Sequence, residues 1–217
     1  NFSNPKSKIL IKELIKLVSF DNINFLILDF FSGSSTTAHA LMALNAEDGG
    51  SRRCISVQLP EPTEEKSEAY KAGYNTIAEI GKERIRRAGA KIAEEIDAKI
   101  KELEAKIEKL SKELPTDETK EEIANLKAEI QNLKNQDLGF RVFKLDSSNI
   151  KRWDTAPESL EQQLDMFDEA IKSDRTEEDI LYEILLKYGL DLTTPIAEKM
   201  VDGCTIYNVG FGSLYVC

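Results

Sequence analysis

The residues best suited to ligand chemistry lie in one stretch, Asp29-Phe30-Phe31-Ser32-Gly33-Ser34-Ser35-Thr36-Thr37-Ala38-His39-Ala40. An apolar run from Phe25 to Phe31 carries a carboxylate at Asp29, then passes into a glycine with small hydroxyl residues and on into an Ala- and Leu-rich segment. Small residues between a strand and a helix let backbone amides approach a ligand closely, and the helix N-terminus favours a negative group. A phosphate-binding Walker A loop is excluded because no Gly-Lys-Ser/Thr follows, and the dinucleotide fingerprint GxGxxG is not met.

The flanking sequence predicts elements that place this loop. Asn4-Pro5-Lys6-Ser7 reads as a turn, and Ile9, Leu10, Ile11, Leu14, Ile15 and Leu17 have the spacing of an amphipathic helix, which Asp21-Asn22 breaks. Phe25 to Phe31 is too short for a typical buried helix and reads as a buried parallel strand. Thr36 to Glu47 reads as a helix with Ser or Thr as N-cap and Gly49-Gly50 closing it. Cys54 to Leu59, stopped by Pro60 and Pro62, reads as a second strand that completes a right-handed crossover unit.

From Thr76 a long helix is expected as far as Leu114, with Gly89 a candidate joint. Along it Ile92, Ile96, Ile100, Leu103, Ile107, Leu110 and Leu114 settle into the four-and-three rhythm of a coiled-coil seam. Pro115-Thr116-Asp117 turns the chain, and Ile123, Leu126, Ile130 and Leu133 repeat the rhythm, which predicts an antiparallel helical hairpin. Phe140 to Leu145 reads as a strand ending at the loop Asp146-Ser147-Ser148-Asn149; if the hairpin is an insertion, it is the third strand of the sheet. Helices over Glu158 to Ile171 and Thr176 to Tyr188, then short strands around Gly203 and Gly210, predict a small α+β module that carries no chemistry of its own.

Composition narrows the function classes. The chain has 217 residues, 41% of them hydrophobic, as expected for a globular protein, and its most apolar run is far short of the roughly 20 residues of a membrane helix. With no secretory leader pattern and three cysteines without CxxC spacing, a reducing, cytoplasmic setting with no membrane partner, no disulfide framework and no zinc ribbon is expected. His39 is the only histidine, so a catalytic triad or a histidine metal site would rest on one helical residue; its simpler role is an ordinary helix-face side chain, and no metal is expected. The net charge of −10 opposes stand-alone DNA binding. Lys82, Arg84, Arg86 and Arg87 form a local basic cluster that could touch a phosphate, but Glu79 and Glu83 at helical spacing favour a solvated, salt-bridged face.

The loop Asp-Phe-Phe-x-Gly-Ser-x-Thr-Thr-Ala-His-Ala is similar to motif I of the β-class amino-methyltransferases, and it most resembles the modification subunits of type III restriction–modification systems. Phe2-Ser3-Asn4-Pro5-Lys6 looks like the motif X segment that precedes motif I there, and Val57-Gln58-Leu59-Pro60-Glu61-Pro62 like the family's second strand and exit. Further matches are Tyr70 to Tyr74, Lys82 to Ala88, Phe140 to Leu145, Ser148-Asn149 and Leu181 to Lys187, in the family's order along nearly the whole chain. The resemblance implies a partial Rossmann-like sheet of an S-adenosylmethionine-dependent methyltransferase over 1–90 and 139–150. It further implies an inserted coiled-coil hairpin over 91–138 and a C-terminal α+β module over 151–217.

The same resemblance implies that Asp29, Phe31, Gly33, Ser34, Thr36 and Thr37 line the methionine end of S-adenosylmethionine, with Lys6 approaching its carboxylate. Gln58 stands where related enzymes often have an acidic residue for the ribose hydroxyls, and an amide can still bond two hydroxyls. The plainer alternatives are a capping role for Asp29 and a surface role for Lys6. Ser35 departs from the family's usual Gly-Ser-Gly. A left-handed backbone there would cost a non-glycine residue about 1–2 kcal/mol, whereas a helical one would leave Ser35 free to act as an N-cap.

The Asp/Asn/Ser-Pro-Pro-aromatic tetrapeptide that holds the target amine in this family is missing, since all six prolines are isolated, so no catalytic residue is expected within these 217 positions. Nor is there a separate region to recognise and flip a base. The expectation is therefore the cofactor-binding C-terminal part of a DNA adenine-N6 methyltransferase, inactive by itself. Its parent would meet DNA through upstream sequence and pair with a second copy and a restriction subunit, with the hairpin and the residues after Trp153 as candidate interfaces. The alternative is a non-catalytic interaction module with a vestigial cofactor loop. A nicotinamide-dependent oxidoreductase is disfavoured by the glycine pattern and by Gln58.

Overall fold

The computed structural model describes residues 6–20, 22–112, 116–151 and 170–217, in two compact units that divide between Phe140 and Arg141. In the first unit, α1 (Lys8–Ser19) begins at an N-cap where Ser7 Oγ accepts from the Leu10 amide. Its Ile15 is buried and Ile11 half-buried against the next helix, while Ile9, Leu10, Leu17 and Val18 stay exposed. Strand β1 (Leu26–Asp29) leads through the loop to α2 (Thr36–Asp48) and on to β2 (Arg53–Ser56), which pairs with β1 in parallel register, Leu26 opposite Arg53 and Asp29 opposite Ser56. The expected strand–helix–strand unit is therefore present, with both strands shorter than the apolar runs that announce them.

Alternation along β1 explains the burial. Ile27 points into a core of Ile15, Ala40, Leu41 and Leu44, joined by Phe25 and Cys54, whereas Leu26, Leu28 and Ile55 lie about half exposed on the opposite face. Parallel sheets are ordinarily covered on both faces. Among the described residues, β1 and β2 have only each other as strand partners. Arg52 locks the crossover: it is buried, pairs with Asp48 at 2.8 Å, bonds the Asn45 amide oxygen and lies over the Phe25 ring.

After a single turn of helix, α3 (Glu68–Lys71), the capping box of Thr76 and Glu79 starts α4 (Ile77–Leu110), an unbroken helix of 34 residues. Gly89 does not mark a joint. A Cβ there would lie 3.1 Å from the Leu138 carbonyl and 3.3 Å from Met42 Cε, so the residue permits close packing within a continuous helix. Helix α5 (Asp117–Lys134) runs antiparallel to α4, with Lys99 paired to Glu129 and Lys106 to Glu122, each at 2.7 Å. Ile92, Ile96 and Leu133 are buried together with Ala43 of α2, so the root of the helical pair is part of this unit's core. Of the predicted turn, Pro115 lies outside the described residues, as does Leu114 of the seam.

The second unit holds α6 (Glu177–Lys187) and an antiparallel sheet of β3 (Ile196–Val201), β4 (Cys204–Val209) and β5 (Leu214–Val216). Asp202 and Gly203, both at positive φ, make the two-residue turn between β3 and β4, and Leu181, Leu185 and Val209 form the core. The helix expected over Glu158 to Ile171 falls almost wholly outside the described residues, as does Trp153.

The strand expected over Phe140 to Leu145 does not form. Residues 140–145 have no strand partner among the described residues, and from Arg141 onward they belong to the second unit rather than to the β1–β2 sheet. Side-chain contacts replace the ladder: Arg141 donates to the Leu192 carbonyl at 2.7 Å and to the Tyr182 hydroxyl at 3.2 Å, and Phe143 meets the Tyr182 ring edge-on. The following loop is held to α6 by Glu183, which accepts from the Ser148 hydroxyl and the Asn149 amide.

Candidate cofactor-binding site

The loop between β1 and α2 is tied from both sides. The Ser32 amide donates to the Val57 carbonyl at 3.1 Å, the Val57 amide to the Asp29 carbonyl at 2.8 Å, and the Gly33 amide to Gln58 Oε1 at 2.8 Å. Gly33 (φ 52°) and Ser35 (φ 55°, ψ 43°) are both left-handed. Glycine adopts that backbone freely, but serine does so at a cost of about 1–2 kcal/mol. Of the two outcomes open for Ser35, the structure has the strained one, and its hydroxyl does not cap α2.

That missing cap has an electrostatic consequence. Helices α1, α3, α4, α5 and α6 each begin with a serine or threonine hydroxyl accepting a first-turn amide; α2 has no such acceptor. Its first-turn amides and positive dipole end meet Arg84, which donates from Nη1 to Ser34 Oγ at 2.9 Å and to Thr36 Oγ1 at 2.8 Å, and from Nε to His39 Nδ1 at 3.5 Å. No carboxylate pairs with Arg84 among the described residues, and partial burial lowers its pKa below the ordinary arginine value. A cation at the positive end of a helix is a favourable setting for an anionic group such as a carboxylate.

The expected site residues divide into two groups. Ser34 and Thr36 are buried, Gly33 and Thr37 half-buried, all on the loop or the first turn of α2; Asp29 is half-buried at the end of β1, and its carboxylate accepts no hydrogen bond among the described residues. Phe31 is beside them in the chain but 81% exposed. Gln58 is half-buried and already engaged, its oxygen on the Gly33 amide and its nitrogen on the Leu59 carbonyl, so in this conformation it braces the loop. Lys6 is exposed just before α1, and no hydrogen bond or ion pair joins it to the loop among the described residues.

Arg84 and Gly81 are the residues that sequence reasoning missed. The basic cluster splits: Glu83 pairs with Arg86 and Arg87 toward solvent, Glu79 caps α4, and Arg84 turns inward. The available signal was helical spacing, since Gly81, Ile85, Ala88 and Ile92 form the buried stripe of α4 and Arg84 is three residues from Gly81 on that side. A Cβ at Gly81 would meet Ser35 Oγ at 2.6 Å and the Gly33 carbonyl at 3.1 Å, so its lack of a side chain lets α4 touch the loop.

His39 is brought into this arrangement rather than left on a plain helix face. Its pKa is lowered from 6.5 to about 4, first by partial burial and then by the charges of Lys8, Arg84 and Lys91, with Glu95 opposing. The folded chain therefore keeps the imidazole neutral where the unfolded chain takes up a proton. The resulting stability is complete above pH 6.5 and is lost as pH falls through about 4. Thermal melting across that window should fall more steeply in the unaltered chain than in His39→Gln; equal slopes would refute the assignment.

Comparison with known proteins gives this loop its context: a family model described as DNA methylase matches residues 1–102, which take in the loop, α2, both parallel strands and most of α4. Residues 1–102 are similar to the DNA methylase family. Over 92 residues the chain is 51% identical to the type III restriction-modification enzyme StyLTI Mod subunit of Salmonella typhimurium, covering 42% of this chain and 14% of that protein. Over 90 residues it is 46% identical to the EcoP15I Mod subunit of Escherichia coli, with the same two coverages. A type II methyltransferase of Klebsiella pneumoniae, M.KpnI, is 42% identical over 79 residues, 36% of this chain and 18% of that enzyme. The resemblance to type III modification methyltransferases thus holds in the DNA methylase segment, and the match spans about one seventh of the type III relatives' length. The segments after Phe140 that resemble the family lie beyond the matched family model. Among the described residues no helix is long and apolar enough to cross a membrane.

Proposed function

We propose that this chain supplies the S-adenosylmethionine-binding part of a DNA adenine-N6 methyltransferase of a type III restriction–modification system. The observation that carries the reading is the loop of Gly33, Ser34 and Thr36 at an uncapped helix N-terminus beside an arginine that has no carboxylate partner among the described residues, within sequence that matches the DNA methylase model. An amino-acid carboxylate suits that positive corner, and Asp29 at the end of β1 can face the opposite charge, the ammonium or sulfonium. Bound there, the cofactor would supply an electrophilic methyl group. The chain's own part is to hold and orient it: Ser34, Thr36, Thr37 and the first-turn amides of α2 at the carboxylate, with Lys6 at that same end, and Asp29 near the cationic centre.

In this reading β1, α2 and β2 are part of a Rossmann-like sheet, with the α4–α5 pair inserted as a coiled-coil hairpin. Target-base binding and methyl transfer belong to sequence outside these 217 positions, because the Pro-Pro tetrapeptide is missing here. DNA, a second copy and a restriction subunit are partners of the larger assembly, in the cytoplasm. The left-handed Ser35 favours the alternative, a vestigial loop in an interaction module. Calorimetric titration of the chain with S-adenosylmethionine decides between them: saturable one-site binding supports the cofactor role, and no heat at millimolar ligand rejects it. Asp29→Ala should weaken that binding about tenfold or more through loss of a charge-assisted contact, and unchanged affinity would rule out this placement of the site.

A further inference from the structure

We propose that Arg84 is a positioning residue of the cofactor site, acting through Ser34 and Thr36 to present their hydroxyl hydrogens to the carboxylate end of the ligand. The inference rests on the cofactor reading and goes beyond it, because the arginine comes from the basic stretch of α4 and touches the loop only through other side chains.

Donor and acceptor capacity decides where each hydrogen goes. A hydroxyl has one hydrogen to give and two lone pairs to fill, and a guanidinium can only donate. By donating to both Ser34 Oγ (2.9 Å) and Thr36 Oγ1 (2.8 Å), Arg84 Nη1 occupies acceptor sites and leaves each O–H to be given elsewhere. The two oxygens are 3.5 Å apart, so at most one weak mutual bond uses up a hydrogen. Both residues are buried, which limits the water that could take the remaining donors. A nearby cation also polarises each O–H, which strengthens donation to an anion.

The planar guanidinium is fixed by a third bond, from Nε to His39 Nδ1 on the first turn of α2, and the closeness of α4 at Gly81 brings Arg84 within reach. Glu83, the adjacent acid, is taken by Arg86 and Arg87, so it does not compete for the guanidinium. The bond from Nε requires an unprotonated Nδ1, so the hydrogen on neutral His39 sits on Nε2.

The test compares two ligands on the full 217-residue chain. S-adenosylhomocysteine carries the amino-acid carboxylate and 5′-methylthioadenosine lacks it. Arg84→Met should weaken S-adenosylhomocysteine about tenfold, the loss of charge-assisted donation, and leave 5′-methylthioadenosine within about twofold. Arg84→Lys keeps a cation able to reach the hydroxyls and should recover part of the loss, and it serves as the working variant if Arg84→Met does not fold by circular dichroism. Equal weakening of both ligands would make Arg84 a structural residue only and overturn the proposal, as would no weakening of either. Failure of the unaltered chain to bind either ligand would overturn the cofactor reading and this inference together. Nitrogen NMR of His39 in the ligand-free chain adds a readout independent of binding: an unprotonated Nδ1 supports the geometry, and a protonated one overturns it.

Discussion

Gly81→Val is expected to destabilise the N-terminal unit by about 3 kcal/mol, the upper range for overpacking a tight contact, and to displace the β1–α2 loop with it. The new Cβ would fall 2.6 Å from Ser35 Oγ and 3.1 Å from the Gly33 carbonyl. The serine hydroxyl can rotate away, but the carbonyl is backbone and must move, and the branched methyls reach further still. Ser35→Gly should act in the opposite sense. It removes the colliding hydroxyl and relieves a left-handed serine, a gain of about 1 kcal/mol by itself. The double variant should therefore recover more than the sum of the two single effects. Urea unfolding of the four proteins measures this coupling; strict additivity would show that α4 and the loop do not meet through these residues.

Leu44→Ala should cost about 2–5 kcal/mol, the range for emptying a fully enclosed leucine site. Leu44 has no exposed surface and packs with Ile15, Ala40 and Leu41 between α1, α2 and β1. The helices around the cavity are held at other points, by Arg52 with Asp48 at one end of α2 and by Lys12 with Glu47 on its flank, so collapse into the space is limited. A loss under about 1 kcal/mol in chemical denaturation would mean that this core is looser than its burial indicates. Leu10→Ala on the exposed face of α1 is the control, with little expected change.

The parts of the fold legible in the sequence are those set by local pattern. An apolar run stopped by small residues announces β1, alanines and leucines closed by Gly49 announce α2, and a seven-residue rhythm announces the pairing of α4 with α5. Distant partners decide the rest. Phe140 to Leu145 has an alternating pattern, yet Arg141 is held by Tyr182 and Leu192, more than forty residues on, and no strand edge meets it among the described residues. Gly89 has the composition of a break and the role of a contact.

The candidate site divides in the same way. Ser34 and Thr36 can be read from the loop itself. Arg84 cannot be told apart from Arg86 and Arg87 by composition, because which arginine turns inward depends on the face that α4 lays against α2. Gln58 stands where the sequence places it, beside the loop, but serves as a brace. Its amide oxygen is taken up by Gly33, which no count of hydrogen-bonding groups along the chain foretells.

The two-stranded parallel sheet bears on how this chain behaves in concentrated solution. With β1 and β2 paired only to each other among the described residues, each has one backbone edge that no other described strand protects, beside half-exposed Leu26, Leu28 and Ile55. Such edges template further strands from other molecules. The net charge of −10 opposes self-association at low ionic strength, and salt screens that repulsion without covering the edges. Charge repulsion thus stands against pairing at these edges, and solubility should decline as salt is added.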